Sequence, residues 1–295
     1  MIWPKNKAKS YDQDLFPKEF LAQFSSYKLF LKRKAGQEKE GTGKIERLGN
    51  SFDFLGYSPY TPGDDMRYID WNIYARLDQL IVKKFMFSPC PNILILIDAS
   101  ASMSIGNPAK FQTACRIAAL LGYLSQQNGH SIRFAFLQEK KIHCSPRFFY
   151  GQSCESMLSF LSWQKAQGKI SLETTLLSLV SNLPKSYIFL CSDLLSAQNS
   201  KPALAQTRAK GHELSLFHLL APEEISPPLQ GQVRLKDIEG NAEKILCLNQ
   251  ETLDMYHKSL QIFQNQWSCF CLKHNIQYSF SSCYFSSEVF KKMRL

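Results

Sequence analysis

The sequence predicts an α/β protein: a doubly wound, mostly parallel sheet, preceded by a small β-rich element. Three observations predict it. From residue 93 onward, apolar runs of strand length alternate with segments of helical period, the pattern of a parallel sheet covered on both faces. The first of these runs, Ile93-Leu94-Ile95-Leu96-Ile97, is unbroken by any polar residue, as a strand buried on both sides requires. Residues 1–92 lack that alternation and carry aromatic residues and turn signals instead. The proline-dense Ser88-Pro89-Cys90-Pro91 marks the boundary, giving an N-terminal region of 1–92 and an α/β domain of 93–295.

In the N-terminal region, Phe20, Phe24 and Leu31 recur at helical spacing, which predicts a helix from near Pro17 that fails by Gly36. Turn signals follow at Gly41-Thr42-Gly43, Gly49-Asn50 and Thr61-Pro62-Gly63-Asp64-Asp65, and Leu80-Ile81-Val82 reads as extended. In the second region, Pro108 to Gln126 reads as a helix with proline near its first turn. Ser131 to Leu137 is a strand and Lys141–Cys144 a short edge piece. Helices are predicted around 153–164, 174–182 and 201–210, and strands at Tyr187–Cys191 and Leu214–His218. Leu253, Tyr256, Leu260, Phe263, Trp267 and Phe270 recur at spacings of three and four, a long amphipathic helix. Ile276–Ser281 closes the sheet, and a short basic helix follows.

Composition narrows the function. The 295 residues are 44% hydrophobic and 20% charged, enough to bury a core, which excludes wholesale disorder. The formal charge of +10 is spread evenly: residues 1–92 hold 15 basic and 11 acidic side chains, against 20 and 14 in the rest. The densest runs, Lys32-Arg33-Lys34 and Lys291-Lys292-Met293-Arg294, lack the aromatic interleaving of a single-strand binder, so no specific nucleic acid is expected. The nine cysteines form no CxxC pair and no regular framework, and the N-terminus has no signal-peptide core. No apolar run approaches the ~20 residues that span a bilayer. A cytoplasmic, reduced protein without a membrane span is the expectation.

Ligands of open parallel sheets bind at the carboxyl ends of the strands. Two such ends carry acids: the first strand runs into Asp98-Ala99-Ser100-Ala101-Ser102, and the Tyr187–Cys191 strand into Ser192-Asp193. Between them a helix opens at Glu173-Thr174-Thr175-Leu176. Two carboxylates and three hydroxyls on neighbouring loops suit a hard, oxygen-seeking ion such as Mg²⁺, with Mn²⁺ or Ca²⁺ as alternatives, and nothing soft is present for zinc or copper. Asp-x-Ser-x-Ser is also ordinary turn and cap chemistry, which is the bland alternative.

Asp98-x-Ser100-x-Ser102 with Thr174 and Asp193 resembles the metal-ion-dependent adhesion site (MIDAS) of von Willebrand factor A domains. Upstream, Tyr60-Thr61-Pro62-Gly63-Asp64-Asp65-Met66-Arg67-Tyr68-Ile69-Asp70-Trp71, with Ala75-Arg76 and Val82-Lys83, closely resembles the signature of the bacterial family called domain of unknown function 58. Val233 to Gly240 and Leu253–Tyr256 fit the same family, so the likeness runs from about residue 16 onward. The resemblance implies an A-type domain, a metal held by Asp98, Ser100, Ser102, Thr174 and Asp193, and work beside a MoxR-type AAA+ ATPase. It implies no established catalytic activity. Thr174 is preferred to Thr175 because the family's Thr-x-Leu then ends on Leu176. Three departures concern the N-terminal region: Ser58 replaces an arginine, Ser88 a common acid, and a His-containing motif is missing around Gly43–Gly49.

Other chemistry is less well supplied. Pro62-Gly63-Asp64-Asp65 reads as a turn before it reads as an acidic catalytic pair. Arg67, Asp70 and Arg76 are expected to form a polar network pinning the N-terminal element to the main domain. Asp98 after a buried strand resembles the haloacid dehalogenase phosphatases, but Ser100 stands where their second acid belongs. The six histidines are scattered, and no GxxxxGK[ST] loop exists. The expectation is a non-enzymatic interaction module; a metal-independent scaffold and a phosphatase-like enzyme using Asp98 are the alternatives.

Overall fold

A computed structural model describes residues 51–88, 92–138, 142–149, 152–181, 183–195, 198–228, 231–240 and 243–283, together with 12, 14–17, 19–25, 27, 29 and 31. The basic run at 32–34, the turns at 41–43 and 49–50, the Pro89–Pro91 break, Gly43–Gly49 and the closing basic helix with its 291–294 tail lie outside these residues.

The elements, in order, are β1 (Ser51–Pro59), α1 (Trp71–Leu77), β2 (Ile81–Ser88), β3 (Asn92–Asp98), α2 (Lys110–Gln127), β4 (Ser131–Leu137) and β5 (Ile142–Cys144). Next come α3 (Cys154–Trp163), α4 (Leu172–Val180), β6 (Ser186–Ser192), α5 (Lys201–Ala209), β7 (Glu213–Leu220) and α6 (Pro222–Ile225). A hairpin of β8 (Gly231–Lys236) and β9 (Glu243–Leu248) precedes α7 (Gln250–Lys273) and β10 (Gln277–Ser282).

Six strands form the central sheet in the order β10-β7-β6-β3-β4-β5, parallel except for the edge strand β5. The doubly wound, mostly parallel sheet expected from the sequence is present. The chain first moves from β3 to β4 on one side, then returns to β6 on the other. The order therefore reverses between β3 and β6, and their carboxyl ends flank the crevice where ligands of such sheets bind.

Strand alternation divides the core in two. Ile93, Ile95 and Ile97 face α2 and α3 with Phe134, Phe136, Phe160 and Phe189. Leu94 and Leu96 face the other way, with Leu176 of α4, Leu204 of α5 and Trp267 of α7. The layer under α2 is close-packed: Gly122 of α2 lies so near Phe134 and Met157 that an added Cβ would meet the Met157 sulfur at 2.6 Å.

The helix expected from Pro17 is instead a series of turns ending in a short 3₁₀ helix, Ala22–Phe24. The four-residue spacing of Phe16, Phe20 and Phe24 serves aromatic packing, with successive ring centroids 5.7 Å apart. These rings, with Leu15 and Leu29, are buried in the same layer as Ile93 and α2. Arg116 donates to the Leu15 carbonyl at 3.0 Å and Asn128 to the Leu29 carbonyl at 2.9 Å, fastening the segment to α2.

β1 and β2 form a separate antiparallel ladder enclosing α1. The Pro62–Asp65 stretch is the expected turn, closed by Asp64 accepting from the Thr61 amide and hydroxyl at 2.9 and 2.8 Å. Arg67 and Asp70 both find partners inside the unit. Arg67 pairs with Asp65 at 2.6 Å, while Asp70 caps α1 and accepts from Lys83 of β2 at 3.0 Å. The expected role of Arg67 and Asp70 as a pin to the main domain is thus replaced by closure of their own hairpin.

Candidate functional site

At the end of β3 the chain leaves the sheet at Asp98, which is buried. Its Oδ1 accepts from the Ser100 amide at 2.9 Å, which folds the Asp-x-Ser turn back on the acid. Its Oδ2 accepts from the Ser192 hydroxyl at the end of neighbouring β6, at 2.6 Å. Ser100 precedes a 3₁₀ turn, Ala101–Ser104, which brings the Ser100 and Ser102 hydroxyls to 3.0 Å from each other. The Ala101 amide donates to the Gly168 carbonyl, and Gln167 donates to the Ala99 carbonyl, each at 2.8 Å. The stretch leading into α4 is thereby tied to the serine loop.

Asp193 follows β6 and is fully buried. Leu194 turns the chain there with φ +57°, a left-handed conformation that a leucine adopts only at a cost. That turn lets Asp193 Oδ1 accept from the Leu195 amide at 3.1 Å and Ser192 Oγ from the Leu194 amide at 3.0 Å. Asp193 Oδ2 accepts from Lys110 Nζ at 2.8 Å, and the same ammonium donates to Glu224 Oε1 at 2.6 Å. Glu224 is steadied by the Ala221 amide, which donates to Oε2 at 2.8 Å.

Both threonines sit in the first turn of α4. Thr174 is exposed and Thr175 half-buried, and their hydroxyls donate to the Ser171 carbonyl at 3.3 and 2.7 Å. Donation of the hydrogen leaves each oxygen its lone pairs for a further partner. Of the five residues singled out by sequence, Asp98, Ser100 and Ser102 therefore share one loop. Asp193 stands at the next strand end, and Thr174 on the helix tied to that loop.

The electrostatics of the cluster are unbalanced at Asp98. Burial, and then the neighbouring Asp193, push its carboxyl up to about 6 from the ordinary 3.8, against the hydrogen bonds from Ser192 and Ser100 that favour the charge. Burial pulls the Lys110 ammonium down, but Asp193 and Glu224 outweigh it and hold the group above the ordinary lysine range. On β7, His218 is buried, its Nδ1 hydrogen-bonded to the Tyr278 hydroxyl at 2.7 Å, and burial brings it down to about 4. Among the described residues no three His, Cys, Asp or Glu side chains gather in the manner of a carboxylate- or thiolate-rich metal site. The set present is instead two acids with serine and threonine hydroxyls, the hard-oxygen chemistry that suits Mg²⁺. Of the two buried carboxylates, Asp193 is matched by an ammonium while Asp98 is held by hydroxyl and amide donors.

Ser192, Lys110 and Glu224 escaped the sequence reading. Lys110 did leave a signal, since a cation opening an otherwise apolar helix opposes the helix dipole and needs an anion to hold it. Its two partners lie 83 and 114 residues away, so sequence alone does not name them.

A family model described as "Protein of unknown function DUF58" matches residues 56–261. The chain belongs to this family. The DUF58 match runs from within β1 to the middle of α7, so it includes most of the hairpin unit and both strand-end acids. Among solved structures, the protein BatB from Bacteroides thetaiotaomicron is similar at 13% identity. That match covers 69% of this chain and 95% of BatB with a TM-score of 0.44. An aerotolerance-related membrane protein from Bacteroides fragilis NCTC 9343 is similar at 11% identity, covering 69% and 95%, with a TM-score of 0.42. The VWA domain of SpRpn10 is similar at 12% identity, covering 44% and 75%, with a TM-score of 0.34. No curated protein matches the chain. No helix among the described residues is long and apolar enough to cross a membrane.

Proposed function

We propose that this DUF58 chain is a non-enzymatic protein-interaction module that contacts its partner through a divalent cation. Asp98, Ser100 and Ser102 would hold the ion, with Asp193 and Thr174 completing the set; Thr175 is the alternative to Thr174. Mg²⁺ is the ion of choice, with Mn²⁺ and Ca²⁺ as substitutes. When bound, the cation supplies an acceptor for one carboxylate of the partner protein. The residues of this chain do the rest: they neutralise the ion, exclude water around Asp98 and aim the serine hydroxyls. The proposed partner is a MoxR-type AAA+ ATPase, with the pair acting in protein assembly or maturation in the cytoplasm.

One observation carries the reading: two buried acids end adjacent strands at the point where the sheet order reverses, beside two serine hydroxyls 3.0 Å apart. Calorimetric titration of Mg²⁺ into the wild type and Asp98→Ala tests it. Binding by the wild type and its loss in the variant are expected. Equal affinity in both, or none in either, overturns the metal site. Co-purification with a MoxR-type ATPase, with Mg²⁺ and then with EDTA, tests the partner; recovery indifferent to EDTA would favour a metal-independent scaffold.

A further inference from the structure

Lysine is among the residues least often buried completely, yet Lys110 has no exposed surface. It stands at the first position of α2, where the helix dipole disfavours a cation. Strand alternation explains which acid it meets. Asp193 continues the line of Phe189 and Cys191 on the face covered by α2, whereas Asp98 continues the line of Leu94 and Leu96 on the opposite face. The ammonium joins three elements at their carboxyl-end loops: the start of α2, the end of β6 and the short helix α6 after β7. Two carboxylates, Asp193 and Glu224, bond the ammonium, and Asp98 lies near enough to Asp193 to feel its charge, so the three acids and one ammonium carry two negative charges when all are ionised. That surplus matches one divalent ion. The lysine nevertheless occupies an oxygen the ion would use, because both oxygens of Asp193 are engaged, one by Lys110 and one by the Leu195 amide.

We infer that the Lys110 ammonium is the resident cation of this site, and that a divalent ion competes with it for Asp193. Glu224 is the alternative berth: when the ion takes Asp193, Lys110 remains paired with Glu224 in place of bridging two acids. Lys110 and Glu224 together therefore set how tightly the site takes a divalent ion. This inference rests on the metal-binding reading above, and it predicts effects of opposite sign at two touching residues. Lys110→Met removes a positive charge beside a doubly charged ion and frees Asp193, which is worth about tenfold in affinity even at high dielectric. Glu224→Gln removes the alternative berth, so the lysine holds Asp193 harder and affinity falls. A lysine serving structure alone would make both substitutions weaken binding or leave it unchanged.

The test is calorimetric titration of Mg²⁺, and then Mn²⁺, into the full chain and three variants: Lys110→Met, Glu224→Gln and the double variant. Circular dichroism confirms the fold of each. The double variant removes the ion pair as a unit, so it decides the matter where Lys110→Met alone fails to fold. The expected result is tighter binding by about tenfold in Lys110→Met, tighter binding in the double variant, and weaker binding in Glu224→Gln. A wild type that binds as tightly as Lys110→Met or the double variant overturns the role of Lys110 and leaves the metal site standing. No binding in any of the four overturns both.

Discussion

Replacing Asp98 with asparagine should stabilise the metal-free protein at alkaline pH. Asp98 is 2% exposed and its carboxyl is pushed up to about 6 from 3.8 by burial and by Asp193. A raised carboxylate pKa means that the folded state binds more protons than the unfolded state between those two values. Stability is therefore undiminished below pH 3.8 and falls as pH rises through 6. At ~1.4 kcal/mol per tenfold, the ionised acid costs about 3 kcal/mol at pH 8. Asparagine has the same shape and can keep the Ser100 amide bond, but it loses one acceptor, worth about 1 kcal/mol. Asp98→Asn should then be more stable than the wild type by about 2 kcal/mol at pH 8 in EDTA, and should lose that advantage by pH 4. Urea unfolding at both pH values measures it, and the wild-type reference cancels the titration of other groups. Saturating Mg²⁺ should reverse the order, since an ion at a hundred times its Kd adds about 2.7 kcal/mol to the binder alone. A variant less stable at pH 8, or one whose difference from wild type ignores pH, would refute the electrostatic account of the site.

Three further outcomes follow from the fold. His218, lowered from 6.5 to about 4 by burial, is kept neutral in the folded state while the unfolded chain takes up a proton. Its contribution of about 3 kcal/mol is complete above pH 6.5 and lost as pH falls to 4, so His218→Phe should flatten the acid limb of the stability profile. Gly122→Ala should destabilise by about 1–3 kcal/mol, because its Cβ would meet the Met157 sulfur and Phe134 ring at 2.6 and 2.8 Å; an unchanged thermal midpoint would contradict this. Asp70→Ala removes the cap of α1 and the partner of Lys83, so limited proteolysis should cut residues 60–80 faster while the sheet stays intact.

The sheet was legible because its strands are buried on both faces and carry unbroken apolar runs that little else produces. Ile93–Ile97 and Tyr187–Cys191 fall inside β3 and β6, and the five helices expected between residues 108 and 270 each begin and end within a few residues of the observed ones. The opposite holds where structure is made by local geometry or exposed surface. The β8–β9 hairpin is mostly exposed, so the brief alternation at Val233 and Leu235 marks no buried face. The Phe16, Phe20 and Phe24 spacing imitates a helix because successive turns place these rings side by side, tilted and edge-on, at the same four-residue interval. At the site, Asp98, Ser100 and Ser102 were legible as a contiguous motif. Ser192, Lys110 and Glu224 join it through tertiary contacts that depend on strand order.

The burial of Phe16, Phe20 and Phe24 against α2 redraws where the α/β unit starts. Leu15, Phe16, Phe20, Phe24 and Leu29 join that unit before the β1–β2 hairpin, and the chain returns to it at β3. The hairpin carrying Asp65, Arg67 and Asp70 is thus an insertion into a discontinuous domain. A fragment beginning at residue 93 would strip an aromatic cover from α2 and leave its apolar face wet, inviting aggregation. Excising residues 51–88 and rejoining the flanks would instead keep that cover, making it the more promising way to separate the two units.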